Sequence, residues 1–199
     1  MLHTIMTSYL LAELLSSSLF PSAKVLSAHN MRLDNRYPNQ QVNQVFKTNI
    51  LLTLNFINDH KDSNKVEFML GPGETFAFHD NVLSKYSGKV TKTTGAHFNY
   101  ADGFLSDGYL MGDGVCHLAS LINWVAQDAG LLVEAPVSHD FANIPDVPRE
   151  YGTSIYFTPN GGNSSQLQNL YVTNNKDYPV IFRFNNFQDN LVLDLIKMD

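Results

Sequence analysis

The sequence predicts an α+β fold: a single domain in which a helix beginning at Cys116 packs on an antiparallel sheet. Three observations predict it. Apolar residues recur at three- and four-residue steps between Val42 and Phe56, and again between Leu118 and Ala129, the spacing of helices with one buried face. Short apolar or alternating runs at 154–157, 170–173, 179–184 and 191–196 read as strands. The helical patterns come first and most of the strand-like runs follow, an order that suits α+β better than alternating α/β.

Taken in order, residues 1–28 carry Ile5, Leu10, Leu11, Leu14 and Phe20, followed by small residues at Pro21-Ser22-Ala23 and Leu26-Ser27-Ala28. They read as a signal peptide or N-terminal anchor, which places the protein outside the cytoplasm, secreted or associated with the envelope. Any membrane contact would run through that segment alone, left uncleaved. Residues 29–38 are polar, end in a proline and read as a linker, so the domain is expected over 39–199. Asn39 or Asn43 can cap the first helix, and the polar run Asn58-Asp59-His60-Lys61-Asp62 ends it.

Residues 66–70 read as a strand. Gly71-Pro72-Gly73 forces a turn, Glu74 reads as its carboxylate, and alternation resumes through Phe78. Residues 88–114 read as a long irregular loop with a strand near 108–111. Leu118, Leu121, Ile122, Val125 and Ala129 make the apolar stripe of the second helix, which Gly130 stops. A strand at 131–134, a loop holding Pro136, Pro145 and Pro148, and the strand-like runs complete the chain, with a hairpin turn expected at Asn174-Asn175-Lys176-Asp177.

Composition narrows the function. With 44% apolar residues, 13 Phe, 9 Tyr and only 16% charged residues, the 199-residue chain can bury a core and is not a disordered one. Net charge is −6 without any basic block, which argues against a nucleic-acid partner. A single Cys excludes an intrachain disulfide and a Cys-rich zinc site. His79-Asp80 and His97 match no metal-ligand spacing, so neither metal nor other cofactor is expected.

That lone cysteine follows Gly112-Asp113-Gly114-Val115 and opens the second helix. A sulfur at a helix N-terminus meets unpaired backbone N–H groups and the positive end of the helix dipole, which lower a thiol pKa. The N–H groups around Gly114, Val115 and His117 are candidate oxyanion donors. A base is still required, and His139 lies where the returning chain can reach the helix start, the order of papain-type enzymes. His117 projects about 100° away from Cys116 on a helix, which suits a loop or substrate contact. Asp140, Asp146 and Asn143 are candidates to orient the imidazole, and Asp113 places a negative charge beside the sulfur that opposes thiolate formation. Trp124 and Tyr109 read as core or as a sugar-stacking surface.

Gly112-Asp113-Gly114-Val115-Cys116-His117-Leu118-Ala119-Ser120 resembles the GGGxCQxST core of VanW-like domains. Gly71-Pro72-Gly73-Glu74-Thr75-Phe76-Ala77-Phe78 resembles the family's PGExFSF element, and Ala129-Gly130-Leu131 its AGL. Residues 148–155 resemble its PxGxDATV strand and 170–174 its LxxxN strand, so the resemblance covers roughly 43–184. It implies a bacterial cell-envelope protein of papain-like or L,D-transpeptidase-like arrangement whose partner is peptidoglycan or its precursors. Cys116 would be acylated by a stem-peptide carbonyl, His139 would be the general base, and Tyr109, Ser120 and Ser154 would contact substrate. The chain departs from the pattern at His117 for Gln, at Ala119-Ser120 for Ser-Thr, and at Gly152 where the family has the Asp of DATV. That last departure motivates the alternative of a non-catalytic envelope-binding module. An unrelated papain-like peptidase or amidase is the third reading.

Overall fold

The computed structural model describes residues 24–59, 65–108, 112–159 and 163–198. Strand β1 (Lys24–Arg32) leads into helix α1 (Gln40–Ile57), followed by β2 (Lys65–Leu70), β3 (Thr75–Ala77) and β4 (Val90–Thr93). Helix α2 (Val115–Asp128), β5 (Leu132–Glu134), the short helix α3 (Asn163–Leu167), β6 (Tyr171–Thr173), β7 (Val180–Phe187) and β8 (Asn190–Lys197) complete it. The architecture is α+β, as the helix-then-strand order predicts.

Two four-stranded sheets are present, ordered β1-β8-β7-β2 and β4-β3-β6-β5. The first is antiparallel throughout. In the second only the β3–β4 pair is parallel. Strict alternation buries Val66, Phe68 and Leu70 on β2, and Val180, Phe182 and Phe184 on β7. Phe68 stacks on Phe182 at 4.7 Å within the first sheet and on Phe76 of β3 at 4.9 Å, so one core serves both sheets. Helix α2 packs on β1, β8, β5 and α1.

Asn39 caps α1, its side chain accepting from the N–H groups of Gln41 and Val42 at 2.9 and 3.3 Å. Further along, the fully buried Asn49 donates to the carbonyls of Leu105 and Asp113 at 3.0 and 2.9 Å and accepts from the Leu105 N–H at 2.9 Å. Asn49 thereby fastens the loop that delivers Cys116.

Several expectations are corrected. Residues 24–32 form β1, paired along its length with β8, so 29–32 are strand and not linker, and Arg36 within 29–38 is buried. The polar run His29-Asn30 gives no apolar signal because β1 is an edge strand with one open side. Residues 88–114 contain β4, a strand too short and polar to stand out, while the strand expected near 108–111 falls on 109–111, outside the described residues. Residues 154–157 form no strand; beside them stands one isolated bridge, Ser138 to Thr153. Asn174–Asp177 is no hairpin turn but a crossing between sheets, held by Asn174 Nδ2 donating to Leu70 and Tyr178 carbonyls, both at 2.9 Å. The hairpin is β7–β8, turned by Gln188 and Asp189 with φ of 48° and 61°, the paired positive values of a two-residue type I′ loop. Among the described residues, no helix is long and apolar enough to cross a membrane.

Candidate active site

The start of α2 forms one wall of a cleft of about 720 Å³. Gly114 sits before the helix with φ of 99°, a left-handed conformation that suits glycine, and a Cβ there would lie 2.7 Å from the Phe46 carbonyl oxygen of α1. The glycine loop thus lets the cysteine helix dock against the α1 backbone. Cys116, His117, His139 and Asp113 line the cleft together with Ile155. Tyr37, Phe46, Phe98, Phe141, Tyr156 and Phe157 place aromatic rings along the wall. Phe141, Tyr156 and Tyr37 are exposed at 74, 45 and 46%, so the cleft has an open aromatic rim.

Cys116 is half-buried, and its sulfur accepts from the Ile155 N–H at 3.3 Å and donates to the Ile155 carbonyl at 3.6 Å. The thiol pKa is pushed up to about 11, chiefly by burial and further by the charge of Asp113, while the Ile155 N–H pulls the other way. The direction is opposite to the lowered pKa expected at a helix N-terminus, and burial is its largest cause. The expected oxyanion donors are also partly spent. The Val115 N–H donates to the Gly112 carbonyl at 3.2 Å and the His117 N–H to the Gly114 carbonyl at 3.0 Å. Gly114 itself contributes clearance and backbone conformation.

His139 is buried, and its Nδ1 lies 3.2 Å from the Ala142 carbonyl. A carbonyl only accepts, so Nδ1 carries the hydrogen and Nε2 keeps its lone pair. Burial lowers the pKa of this imidazole. The residue sits in the loop after β5, not on a sheet strand as the papain-type order suggested. The partner of its Nδ1 is a backbone carbonyl; of the three side-chain candidates, Asp140 acts on the ring through its charge. Asp140 is exposed and its carbonyl accepts from Arg149 Nη2 at 2.9 Å. Asp146 pairs with the wholly buried Arg36 side chain at 2.5 Å. Asn143 lines the cleft and is exposed. No hydrogen bond joins Cys116 to His139 among the described residues; each is held by its own backbone partner.

His117 is buried, with its ring edge-on to Phe46 at 5.2 Å and to His139 at 6.1 Å. Its pKa is pushed down to about 3 by burial, then by the Arg36 and His139 charges. Asp113 accepts from the Asp107 N–H at 3.0 Å, and burial raises its carboxyl to about 6.

Of the proposed substrate contacts, Ser120 is fully buried: its hydroxyl donates to the Cys116 carbonyl at 2.7 Å and accepts from the Thr153 N–H at 2.9 Å, tying the 153 segment to α2. Ser154 donates to Gln168 Oε1 at 3.1 Å and does not line the cleft. Tyr109 lies outside the described residues. Trp124 stacks with His29 at 3.5 Å and with Tyr151 at 5.8 Å. His79 is in the core, bonded to the Gln168 carbonyl and the Asn169 amide, both at 3.2 Å. Among the described residues, no group of three His, Cys, Asp or Glu side chains is arranged to hold a metal ion.

Sequence reasoning missed Ile155, Ala142 and Arg36, which act on the site through backbone groups or a long-range charge. No sequence signal marks a carbonyl as a histidine's partner. No protein-family model matches the chain, and neither a curated protein nor a solved structure matches it.

Proposed function

We propose that the protein is a cysteine-dependent acyl-transfer enzyme of the cell envelope, acting on peptidoglycan stem peptides through a thioester on Cys116. One observation carries the reading: Cys116 and His139 line the same cleft, and the Ala142 carbonyl leaves Nε2 of His139 as a proton acceptor. The substrate class comes from the VanW-like resemblance. An open cleft walled by aromatic rings, with few charged groups, suits a peptide-like acyl donor.

The chemistry follows from a thiol that is neutral at rest. The sulfur attacks the acyl carbonyl carbon, and the S–C bond forms as the thiol proton passes to His139 Nε2. The carbonyl electron pair moves to oxygen, returns, and expels the donor's amine, which takes the proton from His139. An acceptor amine or water then attacks the thioester carbon, gives its proton to His139, and the departing sulfur recovers it. The Ile155 N–H stabilises sulfur as charge develops on it.

A second reading, a peptide-binding envelope module without catalysis, is favoured by the raised thiol pKa and the backbone clasp from Ile155. The test is incubation with purified muropeptides and analysis of products by mass spectrometry. Acyl transfer predicts cross-linked dimers or trimmed stems with the wild type, and none with C116A or H139A. Saturable muropeptide binding without products, unchanged in C116A, would decide for the module.

A further inference from the structure

Four side-chain nitrogen or oxygen atoms are buried without a hydrogen-bond partner among the described residues: Ser27 Oγ, Asn186 Oδ1, Arg36 Nε and His117 Nδ1. Two of the four belong to residues that line the one cleft. An imidazole buried with an unpartnered Nδ1 must hold either a hydrogen or a lone pair there. A buried N–H with no acceptor carries the full cost of its lost hydration. The Arg36 charge, on a wholly buried side chain, disfavours a doubly protonated ring. The unpartnered burial of Nδ1 therefore puts the lone pair on Nδ1 and the hydrogen on Nε2. Nε2 has no hydrogen bond and is not among the buried unpartnered atoms, so it is the ring nitrogen left to the cleft.

We infer that His117 is the oxyanion donor of this site, a neutral imidazole presenting its Nε2–H to the acyl oxygen of a donor bound at Cys116. The assignment rests on the acyl-transfer reading. It gives the two cleft histidines opposite tautomers and opposite tasks. His139 has its hydrogen on Nδ1, against Ala142, and accepts a proton at Nε2; His117 has its hydrogen on Nε2 and donates a hydrogen bond without releasing the proton. A neutral imidazole can stabilise a developing oxyanion in this way. The N–H groups of Val115 and His117 are engaged within the helix start, so neither is free to donate to the acyl oxygen. His117 remains neutral throughout, because burial and the Arg36 charge oppose a second proton on the ring.

The test has two arms. In the resting protein, ¹⁵N NMR of the imidazole rings reads the tautomers directly. We expect a pyridine-like Nδ1 and a pyrrole-like Nε2 for His117 at neutral pH, and the reverse for His139. A pyrrole-like Nδ1 on His117, or a doubly protonated ring, overturns the assignment whatever the enzyme does. The second arm compares single-turnover acylation of Cys116 by a muropeptide donor in wild type, H117F and H117Q. Phe keeps a ring against Phe46 but offers no donor, so its acylation rate is expected to fall on the order of 10²–10³-fold with little change in half-saturating donor concentration. Gln restores an N–H and should recover most of that loss. A folded H117F that acylates as fast as wild type removes His117 from the reaction and leaves the acyl-transfer reading standing. A wild type that is not acylated at all defeats that reading itself, and the oxyanion role with it.

Discussion

The backbone at Gly152 packs closely against His139. A Cβ at Gly152 would lie 2.8 Å from the His139 carbonyl oxygen and 3.1 Å from that of Arg149, and the His139 N–H donates to the Gly152 carbonyl at 3.0 Å. Position 152 is where the VanW-like pattern carries an aspartate, so G152D tests whether the missing carboxylate would help. The contacts predict harm: displacement of the 138–139 segment, a stability loss on the order of 1–3 kcal/mol, and slower acylation of Cys116, read by thermal melting and adduct formation. A G152D variant as stable as wild type and faster in acylation would show that the carboxylate fits. His117 gives a second residue-level prediction. Its folded pKa is held near 3 against an ordinary value near 6.5, so between those pH values the unfolded chain binds a proton there and the folded one does not. Its contribution to stability is therefore intact above pH 6.5 and shrinks as pH falls toward 3. Urea unfolding at pH 7, 5 and 4 should show H117Q losing less stability across that window than wild type; parallel losses would contradict the burial of a neutral ring.

Helix α2 illustrates which elements the sequence reveals. Its apolar stripe sets the helical period, and Gly130, with φ of 69°, ends it, so its limits are legible to within one residue. Strands β2, β7 and β8 are legible for the same reason, since one face of each enters the core. Strand β4 is not, because its four residues expose both polar and apolar side chains and depend on pairing with β3. Strand β1 is hidden in the same way: its pairing partner, β8, lies at the other end of the chain. Within the site, Cys116 and its helix were legible, and so was His139. The direction of the thiol pKa was not, because its largest cause is burial, which depends on how the whole chain packs. At this scale Gly114 is decisive. G114A forces a side chain into a φ of 99° and against the Phe46 backbone, so we predict a loss on the order of 2–4 kcal/mol in chemical denaturation. A loss below about 0.5 kcal/mol would mean that the α1–α2 contact is looser than described.

For the molecule as a whole, the shared core and the cleft are consequences of one arrangement. Phe68 and Phe76 join the two sheets, α2 lies against both, and the cleft opens where the start of α2 meets the loops after β1 and β5 and the segment following Thr153. Cys116 and His139 therefore come from separate segments held by independent backbone anchors, Ile155 for the sulfur and Ala142 for the ring. Such a site is assembled only in the folded domain. Its central chemical claim is that a thiol neutral at rest becomes acylated when His139 takes its proton. The most direct measurement is intact-mass and peptide-level detection of a thioester on Cys116 after brief mixing with a stem-peptide donor, in wild type and in folded H139A. The account predicts an adduct at Cys116 in the wild type and its loss in H139A; no adduct in the wild type, or equal adduct in both proteins, would contradict it.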